Sequence, residues 1–253
     1  MRITKKQYKK IEPYLPKPRG NFVVDHLTVL NAILYVAENG CKQRALPRRY
    51  GHWNTVYRRF RRWAESGVLS QVMEVLQNEA LSDADFSVLS LDSTFVKASP
   101  CAAGALKNGP QAIGRTKGGR TTKIHAIVAG PTTPVALKLT PGNVGDAPVG
   151  REMLRNLNVK RLKSKFVLMD RAYEGDETRQ TARDVGLKPV VPPKRNRREP
   201  WTYNKKLYKR RNEVERFFRR IKDFRRIATR YDKLDVMFSA FLNFVTIVIL
   251  LNH

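Results

Sequence analysis

The stretch Phe86-Ser-Val-Leu-Ser-Leu-Asp92 decides how the rest of the chain is read. A short apolar run of this kind predicts a buried strand. It ends in a carboxylate, which is costly beside an apolar core unless it is paired or holds a cation. The pattern repeats in Lys165-Phe-Val-Leu-Met-Asp170, a second buried strand ending in an aspartate. Between the two, Lys123-Ile-His-Ala-Ile-Val-Ala129 and Val135-Ala-Leu-Lys-Leu139 flank Gly130-Pro131 and predict a hairpin or meander. Residues 100 to 121, rich in Gly, Ala and Lys, predict a mobile basic loop. Asp146 is expected to cap a helix running to Leu157. A helix from Asp176 to Val185, a strand Lys188-Pro-Val-Val191 and a basic linker from Pro192 to Pro200 lead into a last helical region.

The resulting order is three strands in a meander, helix, strand, helix, strand, helix. It predicts an α/β domain with a mixed five-stranded sheet flanked by helices, and the same order describes an RNase H-like fold. Upstream of residue 82 the chain reads as all-helical. Asp25 is placed to cap a helix carrying Leu27, Leu30, Ile33, Leu34 and Val36, which Gly40 ends. A turn region precedes the basic segment Trp53-Asn-Thr-Val-Tyr-Arg58-Arg59-Phe-Arg61-Arg62-Trp63. Short helices with a turn before a basic one suggest a helix-turn-helix. Val56, Phe60 and Trp63 would form its buried stripe, leaving Arg58, Arg59, Arg61 and Arg62 to reach phosphates or base edges. The competing reading is a solvated basic face. The division expected is a small all-α DNA-binding domain over residues 1–81 and a catalytic α/β domain over 82–253.

The 253 residues include 49 Lys plus Arg against 22 Asp plus Glu, a net charge of +27. Such an excess argues against an ordinary enzyme of small metabolites and for a polyanionic partner, most simply nucleic acid. Cys41 and Cys101 offer neither zinc spacing nor a disulfide framework, so a reducing compartment is expected. No apolar stretch follows Met-Arg-Ile-Thr-Lys-Lys, so no signal peptide is expected. Met237–Leu251 is interrupted by Ser239, Asn243 and Thr246 and is too short to cross a bilayer, so it reads as a core helix. No membrane partner is therefore expected, and a cytoplasmic, nucleoid-associated protein is.

The run Tyr208-Lys-Arg-Arg211-Asn-Glu-Val-Glu215-Arg-Phe-Phe-Arg-Arg-Ile-Lys222 has no Gly or Pro and reads as one helix. At about 100° per residue, Tyr208, Arg211, Glu215 and Lys222 fall within roughly 60° of one another. Glu213 lies roughly 200° from Glu215 and reads as a surface ion-pair partner. Val214, Phe217, Phe218 and Ile221 form the stripe that docks on the sheet. Asp92, Asp170 and Glu215 together would give oxygen-only ligation, which suits Mg²⁺ or Mn²⁺ rather than Zn²⁺. Two such ions about 3.5–4 Å apart would support in-line displacement at a phosphodiester. Taken singly, Asp92 could cap a turn through Ser93 and Thr94, and Asp170 could pair with Arg171. His125 reads as a satisfied strand histidine more readily than as a base. Lys123 and Arg171 lie beside the expected site, Tyr173 would help to shape it, and Lys194, Arg195, Arg197 and Arg198 form a charge run suited to the DNA backbone or to solvent.

Asp92-Ser-Thr, Asp170-Arg-Ala-Tyr173 and the Tyr-x2-Arg-x3-Glu-x6-Lys pattern resemble a DDE transposase. The most similar group is the insertion-sequence-five family, within the broader insertion-sequence-four-like group. Ala45-Leu-Pro-Arg-Arg-Tyr-Gly51, Gly118-Gly-Arg-Thr-Thr-Lys-Ile-His125 and Arg226-Ile-Ala-Thr-Arg-Tyr-Asp-Lys233 match as well. The resemblance implies Mg²⁺-dependent cutting at terminal inverted repeats and joining of the 3′ ends to target DNA. It implies Asp92, Asp170 and Glu215 as catalytic metal ligands, with Tyr208, Arg211 and Lys222 gripping DNA near the cleaved end. A homodimer is expected, because two double-stranded transposon ends must meet. Only 44 residues separate Asp170 from Glu215, too few for the large inserted β-domain of some relatives, so a hairpin route that depends on it is not expected. The rival readings are an inactive or domesticated transposase acting as a DNA-binding protein, and a nuclease working with another partner, with or without an RNA guide.

Overall fold

The computed structural model describes residues 1–17, 24–82, 87–103, 111–157 and 165–252. In chain order the elements are α1 (Lys5–Ile11), α2 (His26–Asn39), α3 (Trp53–Glu65), α4 (Val68–Ser82), β1 (Val88–Ala98), α5 (Pro100–Ala103), β2 (Gly114–Thr116), β3 (Gly119–Gly130), β4 (Thr133–Pro141), α6 (Asp146–Arg155), β5 (Phe166–Met169), α7 (Asp176–Asp184), β6 (Lys188–Val190), α8 (Lys205–Tyr208), α9 (Asn212–Lys222), α10 (Arg225–Ala228), β7 (Thr229–Arg230) and α11 (Asp235–Leu251). By contact the chain forms two compact groups: residues 1–78, 96–111 and 220–253, and residues 79–95 and 112–219.

The first group is mainly helical. Thr4 and Gln7 close a capping box on α1, and Asp25 caps α2 through the Thr28 amide at 2.8 Å. Gly40 ends α2 in the left-handed region at φ 63°. A side chain there would be strained, and its Cβ would lie 2.9 Å from that of Arg225. Residues 40–52 hold two 3₁₀ turns, Gln43–Ala45 and Arg48–Tyr50, so the link to α3 is longer than a tight helix-turn-helix turn. Val56, Phe60 and Trp63 are buried on α3 as expected. The ring of Phe60 lies 4.5 Å from that of Phe241 on α11. α11 is apolar nearly all round, and such a helix is stable only when enclosed. That requirement places it with the N-terminal helices, so grouping by contact does not follow a single cut at residue 81. Lys97 and Ala98 of β1 pair in parallel with β7. Among the described residues no helix is long and apolar enough to cross a membrane.

The second group carries the sheet, with strand order β2-β3-β1-β5-β6, β4 joined to β3 and β7 to β1. The β3–β4 pair is antiparallel, while β1–β5 and β5–β6 are parallel. This antiparallel half followed by a parallel half with helical crossovers is the RNase H-like arrangement. Among the described residues the sheet has seven strands, the short β2 and β7 joining the five expected. Part of the expected 100–121 loop is ordered: α5 starts it, and β2 with the start of β3 makes a hairpin turning at Gly119, φ 96°. Residues 104–110 of that loop, and Phe86 of the opening strand, lie outside the described residues. The core joins Leu89, Leu91, Ile127, Val167 and Met169 of the sheet to Val149, Met153 and Leu154 of α6. Gly150 lets Tyr173 close over α6, because a Cβ there would lie 2.6 Å from the Tyr173 ring.

Candidate active site

β1 does not end at Asp92 as the sequence suggested; it runs on to Ala98. Its pairing with β5 does end there. Leu91 lies opposite Met169, so Asp92 and Asp170 leave adjacent parallel strands at the same level. Burial falls away at the same point, from four buried residues to three half-buried ones. In open α/β sheets, sites form at the carboxyl ends of parallel strands.

Asp92 accepts the Ser93 amide at 2.8 Å on Oδ1 and Arg211 Nη1 at 2.7 Å on Oδ2. Arg211 Nη2 donates to Glu215 Oε1. One guanidinium therefore bridges the acid of the sheet and the acid of the helix. Burial pushes the Asp92 carboxyl up to about 6; the Ser93 amide and Arg211 oppose that shift, and the charge of Asp170 adds to it. Asp170 caps the 3₁₀ turn Arg171–Tyr173, accepting the Ala172 amide at 2.8 Å. It does not pair with Arg171, which is exposed.

The Tyr208–Lys222 run is not one uniform helix. Lys209–Arg211 form a 3₁₀ turn between α8 and α9. Tyr208 packs against the cluster of Val88, Leu168 and Val190 and meets Tyr203 edge-on at 5.5 Å, and burial raises its phenol pKa. Val214, Phe217, Phe218 and Ile221 are buried, as their spacing predicts. Lys222 ends α9, about 10 Å along the helix axis from Glu215, and burial lowers its pKa. Glu213 departs from the surface role expected. It pairs with Arg210 at 3.0 Å, but its side chain is 20% exposed against 49% for Glu215, and its Oε2 is buried without a hydrogen bond. The apolar stripe beside it draws Glu213 inward.

Asp146 is a residue the sequence reading misplaced. The N-cap of α6 is Gly145. Asp146 Oδ1 instead accepts Ser93 Oγ and Lys123 Nζ, both at 2.8 Å, and lies 3.9 Å from His125 Nδ1. The signal available was the spacing of Lys123 and His125. Two residues apart on a strand they share one face, and two such groups on a buried strand call for an acid. Lys123 is 4% exposed, also donates to the Val144 carbonyl at 2.7 Å, and lies over the Phe95 ring at 4.7 Å. It is therefore a buried strut and not a surface DNA contact. His125 is fully buried, hydrogen-bonded to Thr140 at 2.8 Å, and lowered by burial to about 4. Tyr173 is fully buried, and burial raises its pKa strongly.

The other candidate DNA contacts divide. On α3, Arg59 donates to the Val24 carbonyl at 2.8 Å and Arg61 pairs with Glu65 at 2.7 Å. Arg58 and Arg62 are exposed, and among the described residues no acid pairs with them. In the 194–198 run, Lys194 pairs with Glu174 at 3.3 Å, and Arg197 with Glu174 at 3.2 Å and with Asp176. Arg195 and Arg198 are exposed without a paired acid among the described residues.

The donors at this site fit a hard divalent cation in chemistry. Asp92 and Asp170 leave their paired strands at the same level, and the Asp92 carboxyl is raised chiefly by burial, with the charge of Asp170 adding to it. Among the described residues no three acidic, histidine or cysteine groups stand ready as a metal-binding set; Glu215 is turned to Arg211.

Residues 83–251 match a family model described as "Transposase DDE domain", and residues 3–73 match one described as "Putative transposase of IS4/5 family". The chain belongs to the IS4/5 family of DDE transposases. It is thus a DNA transposase, an enzyme whose class depends on a divalent metal ion. A Brucella ovis protein, "Putative transposase for insertion sequence element IS6501", is 35% identical over 52% of this chain and 99% of its own length. A Sinorhizobium fredii protein, "Uncharacterized protein y4sN", is 37% identical over 45% of this chain and 84% of its own. Among solved structures, a piggyBac transposase synaptic complex with hairpin DNA aligns at TM-score 0.40 and 11% identity, covering 78% of this chain and 48% of that one. In this family member nine residues, 74–82, separate the two matched segments.

Proposed function

We propose that this transposase binds terminal inverted repeats, cleaves at the transposon ends and joins the 3′ ends to target DNA by phosphodiester transfer. The observation that carries the reading is the in-register exit of Asp92 and Asp170 from adjacent parallel strands, with Arg211 linking Asp92 to Glu215. Asp92, Asp170 and Glu215 would hold Mg²⁺ or Mn²⁺, two ions in the full site. Bound ions of this kind activate the attacking oxygen and stabilise the leaving one. The remaining roles belong to the protein. Ser93 and Ala172 amides fix the two aspartates. Arg211 keeps Asp92 tolerable in the free enzyme and would turn to a DNA phosphate when Glu215 joins the ligand set. Tyr208 would support the strand end and Lys222 would hold the backbone. Asp146 positions Ser93 and Lys123 behind Asp92.

Residues 1–81 would supply end recognition through Arg58 and Arg62, and residues 82–253 the chemistry. Arg171, Arg195 and Arg198 would track the backbone. The enzyme would act as a homodimer beside the nucleoid, since two ends are joined in one event. The test is strand transfer with inverted-repeat DNA and Mg²⁺ or Mn²⁺. Joined products lost in Asp92→Ala and Glu215→Gln support the reading; full cleavage retained in both rejects it.

A further inference from the structure

A second concave site lies within the first compact group, away from the carboxylates. It is a cavity of about 490 Å³ between residues 42–44, the start of α3, and the turn before α11. Its size falls inside the range of about 300–1,000 Å³ usual for small-ligand sites. The floor is fixed. Arg226 donates to both oxygens of Asp232, at 3.2 and 2.7 Å, and to the Cys41 carbonyl at 3.0 Å. Arg230, fully buried, ties the Asp232 carbonyl to the Asp235 carboxylate at 3.0 and 2.6 Å. Between these two anchors Tyr231 is held outward and remains 40% exposed.

The lining offers two kinds of group. Trp53 and Tyr57 are one helical turn apart on α3 and share a face, and with Tyr231 they present three aromatic rings. Lys42, Arg44 and Lys233 are exposed, and among the described residues no acid pairs with them. Arg44 already lies over the Trp53 ring, 5.3 Å from its centroid. Asp232, the one acid of the described lining, is neutralised by Arg226. A ligand matching this surface has a flat π system and a phosphate. A base pair inside a duplex cannot offer its faces, because they are covered by the neighbouring pairs. A single unpaired nucleotide can, and stacking on aromatic side chains with cations along the backbone is how proteins hold one.

We propose that this cavity holds one unpaired nucleotide of the DNA substrate, its base stacked on Tyr231 or Trp53 and its phosphate between Lys42, Arg44 and Lys233. The proposal rests on the reading of the chain as a DNA transposase and adds to it a demand for a nucleotide out of the stack.

The experiment uses the full chain with two probes at one salt concentration: a short thymidine oligonucleotide with a single central 2-aminopurine, and a fully paired duplex of the same length. Binding of the single strand should quench the 2-aminopurine. Tyr231→Ala should weaken single-strand binding about tenfold, within the range expected for one stacked base, with duplex affinity unchanged within about twofold; Tyr231→Phe should behave as wild type. Lys42→Ala with Lys233→Ala, both at exposed positions, should lower the salt slope of single-strand binding by roughly one to two. Equal losses for both probes, no quenching on binding, or unchanged single-strand affinity and salt slope in these variants would overturn the proposal while leaving the reading as a DNA transposase standing. A wild-type chain that binds neither probe would overturn the DNA reading as well.

Discussion

Two regions of the sheet-bearing group are built from the same residue types and end in opposite states. Where the pairing of β1 with β5 ends, Asp92 and Glu215 share the guanidinium of Arg211, with the charge of Asp170 nearby. Around the start of α7, Glu174 and Asp176 share Arg179, Lys194 and Arg197. Asp92 is largely buried, and its carboxyl is pushed up to about 6. Asp176 is exposed, and the Arg197 hydrogen bond holds it below its ordinary value. Burial of Asp92 against exposure of Asp176 makes most of the difference, and the charges around each add to it. The first region has three acids around one arginine, with Asp92 largely buried; the second has two acids on three cations, with Glu174 buried and Asp176 exposed. A surplus of negative charge that folding leaves uncancelled is what a divalent ion would relieve.

Neutralising the acids gives the largest expected effect. Asp92→Asn, Asp170→Asn and Glu215→Gln should each lower cleavage of end DNA by at least about 10²–10³-fold, as for loss of one preorganised electrostatic group. Asp176→Asn should change the same assay by no more than about twofold. An equal loss from Asp176→Asn would erase the distinction between the regions.

The two regions should also answer pH with opposite signs. The Asp92 pKa is raised on folding from 3.8 to about 6, so between those values the folded chain keeps a proton that the unfolded chain releases. Stability should therefore fall as pH rises from about 4 to 6, by up to about 3 kcal/mol. Asp92→Asn should remove that slope in urea unfolding. Asp176 has a lowered pKa, so its contribution is present above the ordinary carboxylate value and is lost as pH falls through the folded one. Cleavage should rise with pH through about 6, because Asp92 must be ionised to hold a cation.

Arg211→Ala would leave Asp92 buried without its partner and should destabilise the fold by roughly 1.5–3 kcal/mol, the usual range for a charge-assisted hydrogen bond. Melting temperature measures this, and Arg197→Ala, at the exposed network, should shift it by much less. The smallest effect sharpens the comparison from the cation side. Arg195→Ala and Arg198→Ala should each reduce the salt slope of duplex binding by about 0.9. Lys194→Ala and Arg197→Ala, whose charges already meet acids, should change it less.

Much of this was legible in the chain. Asp92 and Asp170 follow apolar runs because parallel central strands are buried on both faces, and the first polar residue marks where cover ends. The buried stripe of α9 followed from its spacing. The 3₁₀ turn at Lys209–Arg211 was not legible, since nothing local breaks the helix there. Glu213 was misjudged because helical angle gives direction and not depth. Lys123 was misassigned for a similar reason: its charge suggested the surface, and only the fold brings Asp146 and the Val144 carbonyl to it. The four arginines of α3 looked equivalent in sequence and are not, because Val24 and Glu65 engage two of them.

The sequence by itself determined the order of strands and helices, the family, and the acids at the strand ends. Those depend on periodicity, on the placement of charge after apolar runs, and on fixed spacings, all of which are local. Only the tertiary structure decided which cations remain exposed, which acid stands behind Asp92, and that Arg211 bridges sheet and helix. Each of these is a pairing between residues distant in the chain, such as Arg211 with Asp92 or Lys123 with Asp146. Charge is carried by the residue, but the field it experiences is set by what folding packs around it.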